Sequence, residues 1–139
     1  MSEVNFKVIT PSGILFNQNV SKLTIRTLEG YITVLPKHFP LTTSIIPSIC
    51  DFNVGDKNIR AFTGSGILKV GEKDIKLVVS SFNFKDDIDI ERARKALERA
   101  NGFLASQDPN IDKERAKNAK IRAEARIALW EGKLWILIF

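Results

Sequence analysis

Apolar and polar positions alternate along the first half of the chain and recur every three or four residues along the second. In "NVSKLTIRTL", Leu23 and Ile25 alternate with Lys22, Thr24 and Arg26, which puts the apolar side chains on one face of a half-buried strand. The segments "VGDKN" from Val54 and "VGEKD" from Val70 each set Gly, an acid, Lys and Asn or Asp between apolar runs, as a hairpin reversal requires. Many short strands separated by turn residues predict an antiparallel sandwich or barrel.

Beyond Val79 neither Val nor Thr occurs again, and alanine, present earlier only as Ala61, becomes frequent. Helix formers have replaced β-branched residues. Ala93, Ala96, Leu97, Ala100 and Leu104 fall at helical spacing, leaving Arg94, Lys95, Glu98 and Arg99 on other faces. Asp89 is the expected N-cap, because its short carboxylate accepts orphan backbone N–H groups and suits the positive end of the dipole. This helix should stop between Gly102 and Ser106, before "QDPN". Asp112 then caps a second helix with Ala116, Ala119, Ala123 and Ile127 on one stripe, ending between Glu131 and Lys133. Small residues let the two helices approach closely as an antiparallel hairpin. At about 25 cal/mol per Å² of buried apolar surface, an Ala-faced pair gains little and is marginal alone, so a hairpin able to leave its docking site is a reasonable consequence.

Composition narrows the class. With 139 residues and 44% hydrophobic content, the chain makes one domain, or one domain with a small appendage. Its single cysteine, Cys50, cannot form an intrachain disulfide, and Ile49 and Phe52 beside it suggest a buried, unreactive thiol. The net charge of +5 is interspersed with acids and gives no nucleic-acid footprint. "MSEVNFKVIT" lacks the layout of a signal peptide, and no apolar run approaches the roughly 20 residues of a membrane span. A soluble cytosolic chain is expected, held at a membrane only by partners.

Candidate chemistry is sparse. The only histidine, His38, sits in "EGYITVLPKHFPL" between Pro36 and Pro40, without a second metal ligand or a nucleophile partner. It reads as a loop or interface residue in a stiff segment. Gly64 and Gly66 of "TGSGIL" open a strand instead of a helix, which favours a turn or close strand packing over a phosphate cradle. Asp86 and Asp87 precede the first helix and stabilise its start. No P-loop and no clear metal constellation are present, so neither catalytic nor metal-ligating residues are assigned.

The order of "EGYITVLPKHFPL", "FTGSGILKV" and two Ala-rich helices entered through "IDIERA" resembles the epsilon subunit of F-type ATP synthases, called delta in mitochondria. The match runs to about Trp130. The resemblance implies a ten-stranded β-sandwich over residues 1–85 and a regulatory helical hairpin with an apolar tail over residues 86–139. It also implies a non-catalytic rotor subunit on the cytoplasmic face of the bacterial membrane, coupling ion translocation to ATP synthesis. In the family the sandwich binds the gamma subunit and the ring of c subunits. The hairpin folds down against the sandwich or extends toward the alpha and beta subunits, where it inhibits ATP hydrolysis. Tyr31, Lys37 and His38 would then look toward the c ring.

Some bacterial members bind regulatory ATP on the folded-down hairpin through a motif of Ile or Leu, Asp, two variable residues, Arg and Ala. Ile88, Asp89, Ile90, Glu91, Arg92 and Ala93 fit it, and Arg99, Arg122 and Arg126 look similar to the basic residues completing such sites. Positions 122 and 126 lie one turn apart on one face, where they can present two guanidiniums to a polyphosphate. Solvated arginines and an N-cap explain the same residues without a ligand. An acid that often precedes the motif is replaced here by Asn83 or Phe84. The ending "LWILIF" departs from the polar ending usual in the family and packs either on a partner or on the chain's own sandwich. Beside the standard rotor subunit, two other readings stand: an epsilon-like subunit of a specialised ATPase with a changed membrane partner, and a free nucleotide-sensing module.

Overall fold

A computed structural model describes residues 2–132. The readings made for "LWILIF" lie outside them. Ten strands come first: β1 (Val4–Thr10), β2 (Gly13–Val20), β3 (Lys22–Thr27), β4 (Gly30–Val34), β5 (Leu41–Ile45), β6 (Ser48–Val54), β7 (Lys57–Thr63), β8 (Gly66–Val70), β9 (Asp74–Val79) and β10 (Phe82–Phe84). A 3-10 turn at Lys85–Asp87 leads into α1 (Ile90–Ala105) and α2 (Lys113–Glu131).

Strict alternation builds the core. In β1, Val4, Phe6, Val8 and Thr10 point inward, while in β3 Leu23, Ile25 and Thr27 do so. The strands form one continuous sheet in the order β10-β7-β6-β3-β5-β8-β9-β1-β2, with β4 on the other edge of β3. Between β3 and β5 only Thr27 and Ile45 pair, so the sheet bends there into two layers. Aromatic contacts close it: Phe16 of β2 lies 5.0 Å from Phe52 of β6 and 6.1 Å from Phe84 of β10, centroid to centroid. The sandwich is antiparallel except where β1 runs parallel to β9. Alternation is the same in both senses, so that pair left no mark in the pattern.

The hairpin turns fall at "VGDKN" and "VGEKD", joining β6 to β7 and β8 to β9. The two glycines of "TGSGIL" serve close strand packing. A Cβ at Gly66 would collide with the backbone of Val78 and Val79 on β9, whereas one at Gly64 would meet the rotatable hydroxyls of Ser80 and Ser81. Cys50 is fully buried, and that burial pushes its thiol up to about 12.

The helices follow their expected signals. The Asp89 carboxylate accepts from the Arg92 N–H at 3.1 Å, and that of Asp112 from the Arg115 N–H at 3.0 Å. α2 ends on Gly132, whose φ of 76° is the left-handed cap that glycine adopts without a Cβ penalty. One feature departs from the expected single stripe. α2 buries Ala116 and Ala123, and also a second set, Ala125, Ala128 and Leu129, which packs on Ile49 of β6 and Phe62 of β7. Only α2 makes extensive contact with the sheet.

Gly66→Ala should lower the stability of the fold by about 2–3 kcal/mol, and Gly64→Ala by clearly less, as read from urea unfolding midpoints. Equal midpoints for the Gly66 variant and the parent would contradict the packing role.

Candidate functional site

A cleft of roughly 930 Å³ opens between α1, α2 and the end of β10. Ile88, Asp89, Arg92, Ala93, Arg99, Arg122 and Arg126, the residues put forward for regulatory ATP, all line it. Asp89 ends the connection from the sandwich, Arg92 and Arg99 stand on α1, and Arg122 and Arg126 stand on α2. At about 3.6 residues per turn, positions 122 and 126 fall on a flank of α2 between its two buried stripes. A residue there can reach the cleft while α2 packs on both sides.

Arg126 joins three elements. Its Nε donates to Asn83 Oδ1 at 3.3 Å, an Nη donates to Ser81 Oγ at 3.3 Å, and the guanidinium lies 4.2 Å from the centre of the Phe62 ring. Burial lowers its pKa below the ordinary arginine value, and Arg122 and Arg92 push the same way. Three like charges therefore converge on one space. No ion pair to Arg92, Arg99, Arg122 or Arg126 occurs among the described residues. Of the two residues that receive Arg126, Ser81 carries no sequence signal, and Asn83 is marked only as a replacement for an acid ahead of the motif.

The proposed docking loop is not one constellation. Lys37 and His38 share the segment after β4, where Lys37 adopts the left-handed region at φ 67° and the His38 N–H donates to the Leu35 carbonyl at 3.1 Å. His38 Nδ1 lies 2.8 Å from the Phe39 carbonyl oxygen, a hydrogen bond that needs the proton on Nδ1. Tyr31 stands at the other end of β4, half-buried against the cluster of Ile49, Phe62 and Leu129. The structure thus places it on the helix-facing surface and apart from Lys37 and His38. Desolvation holds its hydroxyl above the usual tyrosine range, partly offset by Arg26, whose guanidinium lies 5.9 Å from the ring centre. The loop's prominent apolar group is Phe39, 86% exposed, which the reading of the sequence passed over although it sits in the Pro-bracketed segment.

Residues 3–85 match the family model described as ATP synthase, Delta/Epsilon chain, beta-sandwich domain. The ATP synthase epsilon chain of Clostridium botulinum strain Eklund 17B is 35% identical over 124 residues, covering 88% of this chain and 92% of the relative. The chain belongs to the delta/epsilon family of ATP synthase subunits. Other epsilon chains agree, among them one from Clostridium kluyveri strain DSM 555, 34% identical and covering 93% of this chain and 98% of the relative. The Mycoplasma mobile epsilon chain is 36% identical, with 89% of each chain covered. Among solved structures, a chain in the Euglena gracilis mitochondrial ATP synthase has a TM-score of 0.79 at 22% identity, covering 90% of this chain and 79% of that one. One in the Tetrahymena thermophila mitochondrial ATP synthase has 0.58 at 14% identity, with 94% and 96% covered. These two neighbours share the fold of this epsilon-family chain.

Replacing Arg126 by Ala should loosen α2 from the sandwich, raising amide hydrogen exchange in its C-terminal half by about tenfold, since it removes two hydrogen bonds and a cation–π contact. Arg122→Ala, which removes only a repelling neighbour, should leave that exchange unchanged or slower.

Proposed function

We propose that this epsilon-family chain is a non-catalytic subunit of the central stalk of an ATP synthase, on the cytoplasmic face of the bacterial membrane. Its sandwich links the gamma subunit to the c ring, so that ion translocation is coupled to ATP synthesis. Its hairpin leaves the sandwich to meet the alpha and beta subunits, where it inhibits ATP hydrolysis. The observation that carries this reading is the unequal holding of the two parts. The sandwich is closed by interlocking aromatic rings, whereas the hairpin rests through one helix on a small apolar patch of Ala125, Ala128 and Leu129 and on the Arg126 contacts. Burying alanines stabilises far less than burying leucines or phenylalanines, so the hairpin is the part that can move. Membership of the family supports the same division, and both solved assemblies that hold its fold neighbours include a c ring.

Exposed Lys37 and Phe39, with half-buried His38 between them, form the stiffened loop suited to contact with the c ring. The cleft holds regulatory ATP, its polyphosphate between Arg92, Arg99 and Arg122 and its binding favouring the docked hairpin by cancelling the repulsion among guanidiniums.

Deleting residues from Asp86 onward should leave a folded sandwich that still co-purifies with gamma. Loss of the β circular-dichroism signal would sink the two-part reading, and loss of gamma alone would sink the partner assignment. Isothermal titration should show ATP binding to the full chain, weakened about tenfold by Arg92→Ala or Arg122→Ala. Indistinguishable heats for all three proteins would remove the nucleotide reading.

A further inference from the structure

The edge strands of the two layers are protected unequally. β10 has three residues and takes a bond from Arg126 of α2 at Asn83, and β5 lies between Pro40 and Pro47 with Ile45 paired to Thr27. Among the described residues β4 pairs with β3 alone. Its residues, Gly30, Tyr31, Ile32, Thr33 and Val34, include neither a charge nor a proline, and exposed Leu28 and Leu35 stand just beyond its two ends. Such an edge presents N–H and C=O groups to any extended chain. β2 is uncharged too, but it closes the other layer, away from the strands on which α2 lies.

α2 leads the chain to the β4 edge. Tyr31 pairs with Arg26, Ile49 with Phe62 and Phe62 with Asn83, and continuing the β3–β6 register two residues past Thr24 and Asp51 sets Arg26 level with Ile49. These residues make one row across β4, β3, β6, β7 and β10. α2 follows that row: Arg126 meets Asn83 and Phe62, and Leu129, three residues on, belongs to the cluster with Ile49 on which Tyr31 packs. The helix therefore points toward β4, and Gly132, at φ 76°, ends it there. Lys133 and the six apolar residues of "LWILIF" follow, beyond the described residues. Isoleucine, tryptophan and phenylalanine favour strands, and six residues suit the length of β4.

We propose that residues 134–139 dock along the open edge of β4 as an added strand, latching the end of α2 to the sandwich. The chain arrives beside Tyr31, at the start of β4, so the added strand runs parallel to it. An all-apolar run specifies register weakly, and the fixed point at Gly132 supplies it. The new ladder reinforces the small patch and the Arg126 contacts that hold the hairpin. A second copy is the poorer occupant of this edge, because each chain carries its own segment tethered beside it at high effective concentration.

Amide hydrogen exchange on the full-length protein, on a chain ended after Lys133 and on Ile136→Pro tests the latch. The N–H groups on the open side of β4 should exchange about tenfold more slowly in the full chain than in either variant, with β9 unchanged throughout and the full chain sedimenting as a monomer. Equal β4 exchange in all three proteins would overturn the proposal, and so would protection that is lost from β2 instead. A full-length dimer that the truncation dissolves would give the edge to a second copy and overturn the intrachain latch. Ile136→Pro keeps the chain length, so its result stands even where truncation disturbs the fold by circular dichroism.

Discussion

The seating of α2 on the outer face of β6 and β7 is the contact on which the arrangement of the helical half depends. Phe62 and Ile49 point away from the sandwich core, and Ala125, Ala128 and Leu129 cover them. Without that cover, two large apolar side chains would face water on a sheet surface that is otherwise well occupied by polar groups. The same contact brings α2 beside β10, and only then can Arg126 reach Ser81, Asn83 and the Phe62 ring. α1 is held at one remove, through α2. The cleft is therefore a consequence of that seating, since its walls come from both helices and the strand end.

This arrangement sets two electrostatic effects against each other at neighbouring positions. Arg126 is tied to the sandwich by neutral acceptors and an aromatic face, contacts that need no counter-charge. Arg122 and Arg92 approach it with the same sign of charge, and their influence adds to the burial that lowers its pKa. The anchoring is thus neutral, and no ion pair among the described residues relieves the repulsion. An interface dominated by alanines gives little apolar area to outweigh it.

Much of this organisation was legible in the residues. The caps at Asp89 and Asp112, the reversals at "VGDKN" and "VGEKD", and the change from β-branched residues to alanine all depend on local chemistry, and the structure realises them where they occur. What escaped is non-local. The parallel pairing of β1 with β9 joins segments far apart in the chain and leaves alternation unaltered. The second stripe of α2 had a trace in the strands: Ile49 with Cys50, and Ala61 with Phe62, are adjacent buried residues, which a strand covered on one side only would not show. Tyr31 was grouped with Lys37 and His38 through the resemblance, yet it stands at the start of β4 against Ile49, Phe62 and Leu129, whereas Lys37 and His38 lie beyond the strand's other end.

The seven residues put forward for ATP converge on one cleft because helical spacing is reliable over one or two turns and the hairpin is short. Their partners do not follow from spacing. Asn83 and Ser81 matter only through the position at which α2 crosses β10, a property of the packed chain. Hence an asparagine that reads as a simple departure from an acidic pattern acquires a chemical role of its own. Its oxygen accepts from a half-buried guanidinium at a cleft already crowded with donors. A carboxylate there would have neutralised Arg126 from within; the amide holds it in place and leaves its charge uncancelled. The anchoring of the hairpin and the charge of the cleft are thereby separated.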